Sequence, residues 1–148
     1  GPLLADLPRE RLYAILLDRR HRVLREHLVC EGTLDEAPAH PREVFIPALR
    51  EGASAVIVLH NHPSGDPTPS QADYDVTARL ALAGRALGVP LLDHVVIGGG
   101  AFVSIASEQG GSLDALCPAD RPAPSVNEKP ARYVARPGGC RGPEGISP

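Results

Sequence analysis

His60 and His62 stand two residues apart at the end of the aliphatic run Ser54-Ala-Val-Ile-Val-Leu, and Asp73 follows after a loop holding three prolines and one glycine. In an extended chain alternate side chains share a face, and two rises of ~3.3 Å set two such imidazoles ~6.6 Å apart along the strand, close enough to converge on one ion. A helix that begins at Ser70 presents Asp73 in its first turn. There a carboxylate complements the helix dipole and is also a hard oxygen ligand. Two imidazoles and one carboxylate make a three-ligand metal site of the zinc type. The open fourth position suits a water whose pKa is lowered towards ~7. The same residues also admit a purely structural reading, with His60 and His62 as a polar strand end, Ser70 as a helix cap and Asp73 as its capping-box partner. That reading accounts for each residue alone. It leaves unexplained why cap, box, stiff loop and histidine pair follow one another directly after a strand without polar residues.

Several elements must position these groups. Glu10 to Asp18 reads as a short, largely buried strand entered from Pro8, and Arg22 to Thr33 as a second strand; the polar link Arg19-Arg20-His21 makes the pair a hairpin. Pro41-Arg42-Glu43 opens a helix to about Glu51, which Pro47 is expected to kink or end early. Ser54 to His60 is the clearest strand, and its unbroken aliphatic run predicts a sheet covered on both faces. Ser70 to about Leu87 is the clearest helix, with a stripe at Thr77, Leu80, Ala81, Gly84 and Leu87, closed by Gly88. Leu91 to Ile97 and Phe102 to Ala106 read as two further strands turned by Gly98-Gly99-Gly100. The fold class is therefore α/β, a mixed sheet flanked by helices. From about Gly110 the composition shifts, and seven of the sixteen prolines fall there, so residues 111–148 read as a disordered tail to a domain at 8–110.

Composition narrows the classes. A chain of 148 residues with 43% hydrophobic content suffices for one domain core. No apolar run reaches membrane-spanning length and the start lacks a signal-like region, so a soluble, cytoplasmic protein without a membrane partner is expected. The opening Gly1-Pro2 without an initiator Met has the look of a cleavage scar or of a piece of a longer chain. Cys30, Cys117 and Cys140 are odd in number and widely spaced, which points to reduced thiols and away from a thiolate metal site. A net charge of -3 and five Tyr and Phe residues in all give neither a basic surplus nor a stacking platform for nucleic acid. The local cluster Arg19, Arg20, His21, Arg22 and Arg25 reads as a solvated hairpin. A zinc deaminase would need H-x-E and P-C-x-x-C, and neither occurs.

The segment H-x-H-P, six residues, S-x-x-D matches the metal-binding part of the JAMM motif of JAB/MPN metalloproteases at His60, His62, Pro63, Ser70 and Asp73. More specifically, H-N-H-P-S-G-D-P-T-P-S-Q-A-D, the upstream Gly32-Thr33 and Arg42 to Phe45, and L-D-H-V-V-I-G at Leu92 to Gly98 resemble the RadC family over about residues 8 to 110. The resemblance implies a JAB/MPN fold of cytidine-deaminase-like architecture and one zinc ion per chain held by His60, His62 and Asp73. It also implies a metallopeptidase or isopeptidase whose peptide or protein substrate is unidentified. Enzymes of this kind use a glutamate at the start of a strand as general acid/base. Glu10 holds that position before Leu12 to Leu17, with Glu26 and Glu31 as competitors.

Ser70 is then a hydrogen-bond donor to the developing oxyanion, a helix cap, or both. Asn61 stands where deubiquitinating relatives carry Ser or Thr, and either contacts substrate or pins the loop. Asp93 and His94 lie on a neighbouring strand, where His94 either orients a ligand or is a satisfied core residue. His21, His27 and His40 receive no role. The family name suggests a second function, that of a DNA-repair or recombination accessory with a structural or vestigial zinc site. A helix-hairpin-helix region common in full-length RadC proteins is absent from this sequence, and DNA binding would go with it. A metal-free scaffold is a third, against which all three ligand types speak. Oligomeric state has no signature in the sequence.

Overall fold

The computed structural model describes residues 7–32 and 39–117. Thr33 and nearly all of the expected tail, residues 118–148, lie outside the described residues. Strand β1 (Arg11–Leu17) runs antiparallel to β2 (Val23–Glu31), the hairpin read from the sequence. Helix α1 (Pro41–Arg50) leads to β3 (Ala55–Asn61), which pairs antiparallel with β1. Helix α2 (Gln71–Leu87) is the crossover to β4 (Leu91–Gly98), parallel to β3, and β5 (Ala101–Ser104) closes the sheet antiparallel to β4. The strand order is β2-β1-β3-β4-β5, a mixed five-stranded sheet flanked by helices. None of the helices among the described residues is long and apolar enough to cross a membrane.

Alternation and register decide which side chains meet. Leu12, Ala14 and Leu16 of β1 lie opposite His60, Val58 and Val56 of β3, and Val58 and His60 lie opposite His94 and Val96 of β4. All of these are essentially buried, and the apolar ones pack in one cluster with Val44, Phe45 and Ala48 of α1 and Val76 and Leu80 of α2. His60 therefore projects from the covered face of the sheet. The opposite face, with Tyr13, Ile15, Ile57, Leu59, Val95 and Ile97, is only partly buried. This corrects the expectation of a sheet covered on both faces: the helices gather on one side, and an aliphatic run in β3 reports β-branched strand propensity as well as burial.

Other boundaries differ for physical reasons. Helix α1 continues through Pro47 to Arg50. The backbone donor that Pro47 lacks is outweighed by burial of Val44, Phe45 and Ala48 on the same helix. His40 caps this helix, its Nδ1 accepting the Arg42 N–H at 3.2 Å. Leu87, expected on the buried stripe of α2, is 48% exposed, and Val76 and Asp73 take places on that face instead. The last strand stops at Ser104, because the Ser104 side chain caps a short helical turn, α3 (Ile105–Glu108). Packed structure also runs past Gly110. A 3-10 turn at Leu113–Leu116 buries Leu113 against the core, and Asp114 of that turn pairs with Arg85 at 2.6 Å.

Candidate metal centre

Four side chains meet where the end of β3, the start of β1 and the first turn of α2 come together. Because β1 and β3 are antiparallel with Leu12 opposite His60, Glu10 arrives beside His60, and its even position shares the face of Leu12. Its Oε2 lies 3.9 Å from His60 Nε2. The segment is tethered twice: Gly32 N–H donates to the Glu10 carbonyl at 2.9 Å, and the Asn61 side chain bonds the residues on either side.

His62 continues the strand by one bond, its N–H donating to Ile97 O at 2.7 Å, before the loop turns away. Its Nδ1–H donates to the Asp66 carbonyl at 2.9 Å. A carbonyl can only accept, so this bond holds a proton on Nδ1 and turns Nε2 inward, the usual orienting device of a metal-binding histidine. His62 Nε2 lies 3.0 Å from Asp73 Oδ2.

Asp73 is fully buried at the third position of α2. Its Oδ2 accepts the Ser70 N–H at 2.8 Å while Ser70 Oγ accepts the Asp73 N–H at 3.2 Å, a complete capping box. Ser70 therefore caps the helix, and its hydroxyl, on an exposed residue, still has a proton to give. Asp73 Oδ1 has no hydrogen-bond partner. It lies 3.1 Å from His60 Nδ1, an ion-pair distance without hydrogen-bond alignment.

His60 is 1% exposed, and neither of its ring nitrogens makes a hydrogen bond. Its ring meets that of His62 edge to face with centroids 4.9 Å apart. Burial alone would lower its pKa; Asp73 and then Glu10 overcome that, and the net value is raised to about 9. Burial likewise works to raise the Asp73 pKa, yet His60 and the Ser70 N–H hold the carboxyl well below the usual carboxylate range. Two carboxylates thus face two imidazoles in a buried space that favours a positive charge.

These residues fit a metal ion. Three buried donor atoms, His60 Nδ1, His60 Nε2 and Asp73 Oδ1, lack partners. Two ligand atoms on one tetrahedral zinc, each at ~2.0–2.1 Å, stand about 3.4 Å apart. The 3.0 and 3.1 Å separations of Asp73 from His62 and His60 are close to that spacing. Glu10, His60 and His62 form the one group among the described residues whose ligand atoms all lie within 4.8 Å of one another. Asp73 stands outside that group, since its two contacts are made by different oxygens, Oδ1 towards His60 and Oδ2 towards His62.

The competing glutamates are placed otherwise. Glu26 is exposed on β2, and Glu31 is held by Arg9 at 3.3 Å and Arg11 at 3.4 Å. His94 is fully buried, its Nδ1 2.7 Å from Thr77 Oγ1, which in turn donates to the Asp73 carbonyl at 2.6 Å. The hydroxyl has one proton and gives it to Asp73, so His94 Nδ1–H is the donor and His94 Nε2 carries no proton. Burial, then the charge at His60, lowers its pKa to about 3. His94 is thus a core residue that reaches Asp73 through Thr77, a link with no marker in the sequence because Thr77 reads as one member of a buried stripe. Asp93 turns to the β5–α3 corner, accepting from Ser104 Oγ at 2.6 Å and Ala106 N at 2.9 Å.

The family model described as RadC-like JAB domain matches residues 2–111. A UPF0758 protein of Geobacter sulfurreducens is 51% identical over 102 residues, covering 69% of this chain and 44% of the relative. A UPF0758 protein of Syntrophotalea carbinolica is 52% identical over 103 residues, covering 70% and 45%. One of Methanosarcina mazei is 43% identical over 107 residues, covering 72% and 47%. The chain spans less than half the length of these curated relatives, whose names state no activity.

Proposed function

The chain belongs to the RadC-like JAB domain family, and on that premise we propose that it is a zinc-dependent hydrolase of peptide or isopeptide bonds. The observation that carries the reading is the unpartnered, buried donor set of His60 and Asp73 beside the oriented Nε2 of His62, with Glu10 at its edge. His60, His62 and Asp73 would hold the ion. When bound, zinc supplies a Lewis acid that polarises the scissile carbonyl and lowers the pKa of a water.

The remaining work falls to side chains. The Glu10 carboxylate accepts a proton from the attacking water and passes it to the amide nitrogen as the C–N bond breaks, so that water and amide become acid and amine. The Ser70 hydroxyl proton, not used by the cap, is available to the oxygen that gains charge. His62 keeps its orientation through Asp66, and the capping box holds Asp73 against the site.

Among the described residues nothing comparable supports a nucleic-acid role. Of the local basic cluster, Arg22 pairs with Asp18 at 3.0 Å and Arg25 with Glu51 at 3.0 Å. The test is elemental analysis of the purified protein together with profiling on a quenched fluorescent library of peptides and isopeptides, with and without chelator. About one zinc per chain, its loss in a His60→Ala/His62→Ala double variant, and chelator-sensitive cleavage that Glu10→Gln abolishes without loss of zinc are expected. Absence of any transition metal would overturn the site; full cleavage by Glu10→Gln would overturn the role of Glu10.

A further inference from the structure

Asn61, between the two histidines, is 1% exposed and turns its amide to the chain on either side of Glu10. Its Oδ1 accepts the Arg11 N–H at 2.6 Å and its Nδ2 donates to the Arg9 carbonyl at 2.9 Å. The backbone register of β1 with β3 ends at Leu12 opposite His60. One step further out, the side-chain amide does for Arg9 and Arg11 what a peptide unit would do in a longer ladder, with one donor and one acceptor at fixed spacing. Burial leaves Asn61 no surface for substrate. Its bonds go to the entry of β1 and not to the loop at 62–70, so both sequence expectations for this residue are replaced.

We propose that Asn61 is a positioning residue: its amide clamps Arg9 and Arg11 so that the Glu10 carboxylate is held beside His60. The inference rests on the reading of Glu10 as the proton carrier. The end of a strand frays readily, and without the clamp the segment keeps the Gly32 bond and the solvent-accessible pairing of the Arg9 and Arg11 side chains with Glu31, neither of which fixes the backbone on the His60 side. A displacement of ~1 Å at a proton carrier can cost ~10²-fold in rate. The role requires a primary amide of this length. An aspartate keeps the acceptor for Arg11 but turns a carboxylate oxygen on the Arg9 carbonyl, and alanine loses both bonds.

The test uses Asn61→Ala and the isosteric Asn61→Asp in the full chain, the second carrying the argument should the first fail to fold. Both are expected to keep one zinc per chain, because His60 and His62 are set by the sheet and by Asp66. In Asn61→Ala, amide exchange at Arg11 is expected to rise by about ten-fold or more. With cobalt(II) as the metal probe, both Asn61 variants and Glu10→Gln should shift the visible absorption in the same way, a readout independent of substrate. On the fluorescent library, kcat should fall by about 10²-fold with KM little changed. In a Glu10→Gln background, adding Asn61→Ala should leave the cobalt absorption where Glu10→Gln alone puts it.

An unaltered cobalt spectrum in the folded Asn61 variants beside an altered one in Glu10→Gln would overturn the inference. Unchanged Arg11 exchange, or zinc loss in both Asn61 variants, would do the same, the latter making Asn61 a support for the histidines. Full cleavage by Glu10→Gln is a different outcome: it removes the reading of Glu10 itself, and this inference with it.

Discussion

Gly65 and Gly99 meet backbone to backbone: a Cβ placed on Gly99 would lie 2.5 Å from the Gly65 carbonyl oxygen. Gly98, the next residue back, would strike the backbone of Gly65, Asp66 and Pro67 at 3.0 Å. The β4–β5 turn is therefore the wall against which the histidine loop is seated, and Asp66 of that loop orients His62.

Gly99→Ala is expected to push the loop outward. Both Gly99 (φ +57) and Gly100 (φ +76) occupy the left-handed region, so alanine at either costs about 1 kcal/mol in backbone strain. Nothing lies within 4 Å of a Cβ on Gly100. Gly99→Ala should thus cost a further ~1–3 kcal/mol and weaken zinc retention, whereas Gly100→Ala keeps the metal. Melting curves and chelator competition on the two variants check this. Equal behaviour of the pair would remove the contact as a determinant of the site.

Asp73 caps its helix and, in the proposed function, also binds the metal, and one substitution separates the two roles. Asparagine keeps an oxygen for the Ser70 N–H but loses the charge, so Asp73→Asn should keep the capping box while giving up the charge pair with His60. Its zinc affinity should fall by ~100-fold or more. Asp73→Ala should lose both metal and cap, with about 1 kcal/mol of helix stability going with the cap. Zinc affinity unchanged in Asp73→Asn would leave Asp73 as a cap alone.

These relationships also show what a sequence carries. The strand end at His60 and the capping box of Ser70 and Asp73 are legible because strand alternation and helix capping are local rules, each readable within a few residues. Glu10 was legible only by its place before a strand, since its approach to His60 depends on the pairing of β1 with β3. The Asn61 clamp spans 50 residues of chain and the Thr77–His94 bond 17, and neither leaves a local pattern. The His40 cap carries no sign in the sequence, because histidine is an uncommon N-cap residue. Pro47 and the end of β5 went against local rules where burial and a Ser104 cap prevailed.

Thr77 links a buried histidine to the helix that carries Asp73. Thr77→Val keeps the shape, removes the hydroxyl, and leaves His94 Nδ1 without its partner at 0% exposure. A loss of about 1–3 kcal/mol is expected. The residues proposed to hold the ion are untouched, so one metal per chain should remain. Chemical denaturation with parallel elemental analysis reads both quantities, and loss of zinc would assign Thr77 a direct part in holding Asp73.

His60 and His94 give the metal-free protein opposite responses to pH. The His60 pKa rises from 6.5 to about 9 on folding, so between those values the folded protein holds a proton that the unfolded chain has released. The stability it contributes is full below about pH 6.5 and is lost as pH rises through 9. His94 is lowered from 6.5 to about 3, so the unfolded chain binds a proton there that the folded protein refuses, and stability falls as pH drops through that window. Asp73, its pKa depressed, adds to the acid-side loss. Chelator-treated protein should therefore have its highest Tm near pH 6.5 and lose stability on both sides. With zinc bound, the metal takes the place of the His60 proton and the alkaline limb should flatten, as it should in metal-free His60→Gln. Melting from about pH 4 to about 10, with and without chelator, measures this. A Tm that stays level between pH 6.5 and 9 in the chelated parent would mean that no proton is held between Asp73 and Glu10.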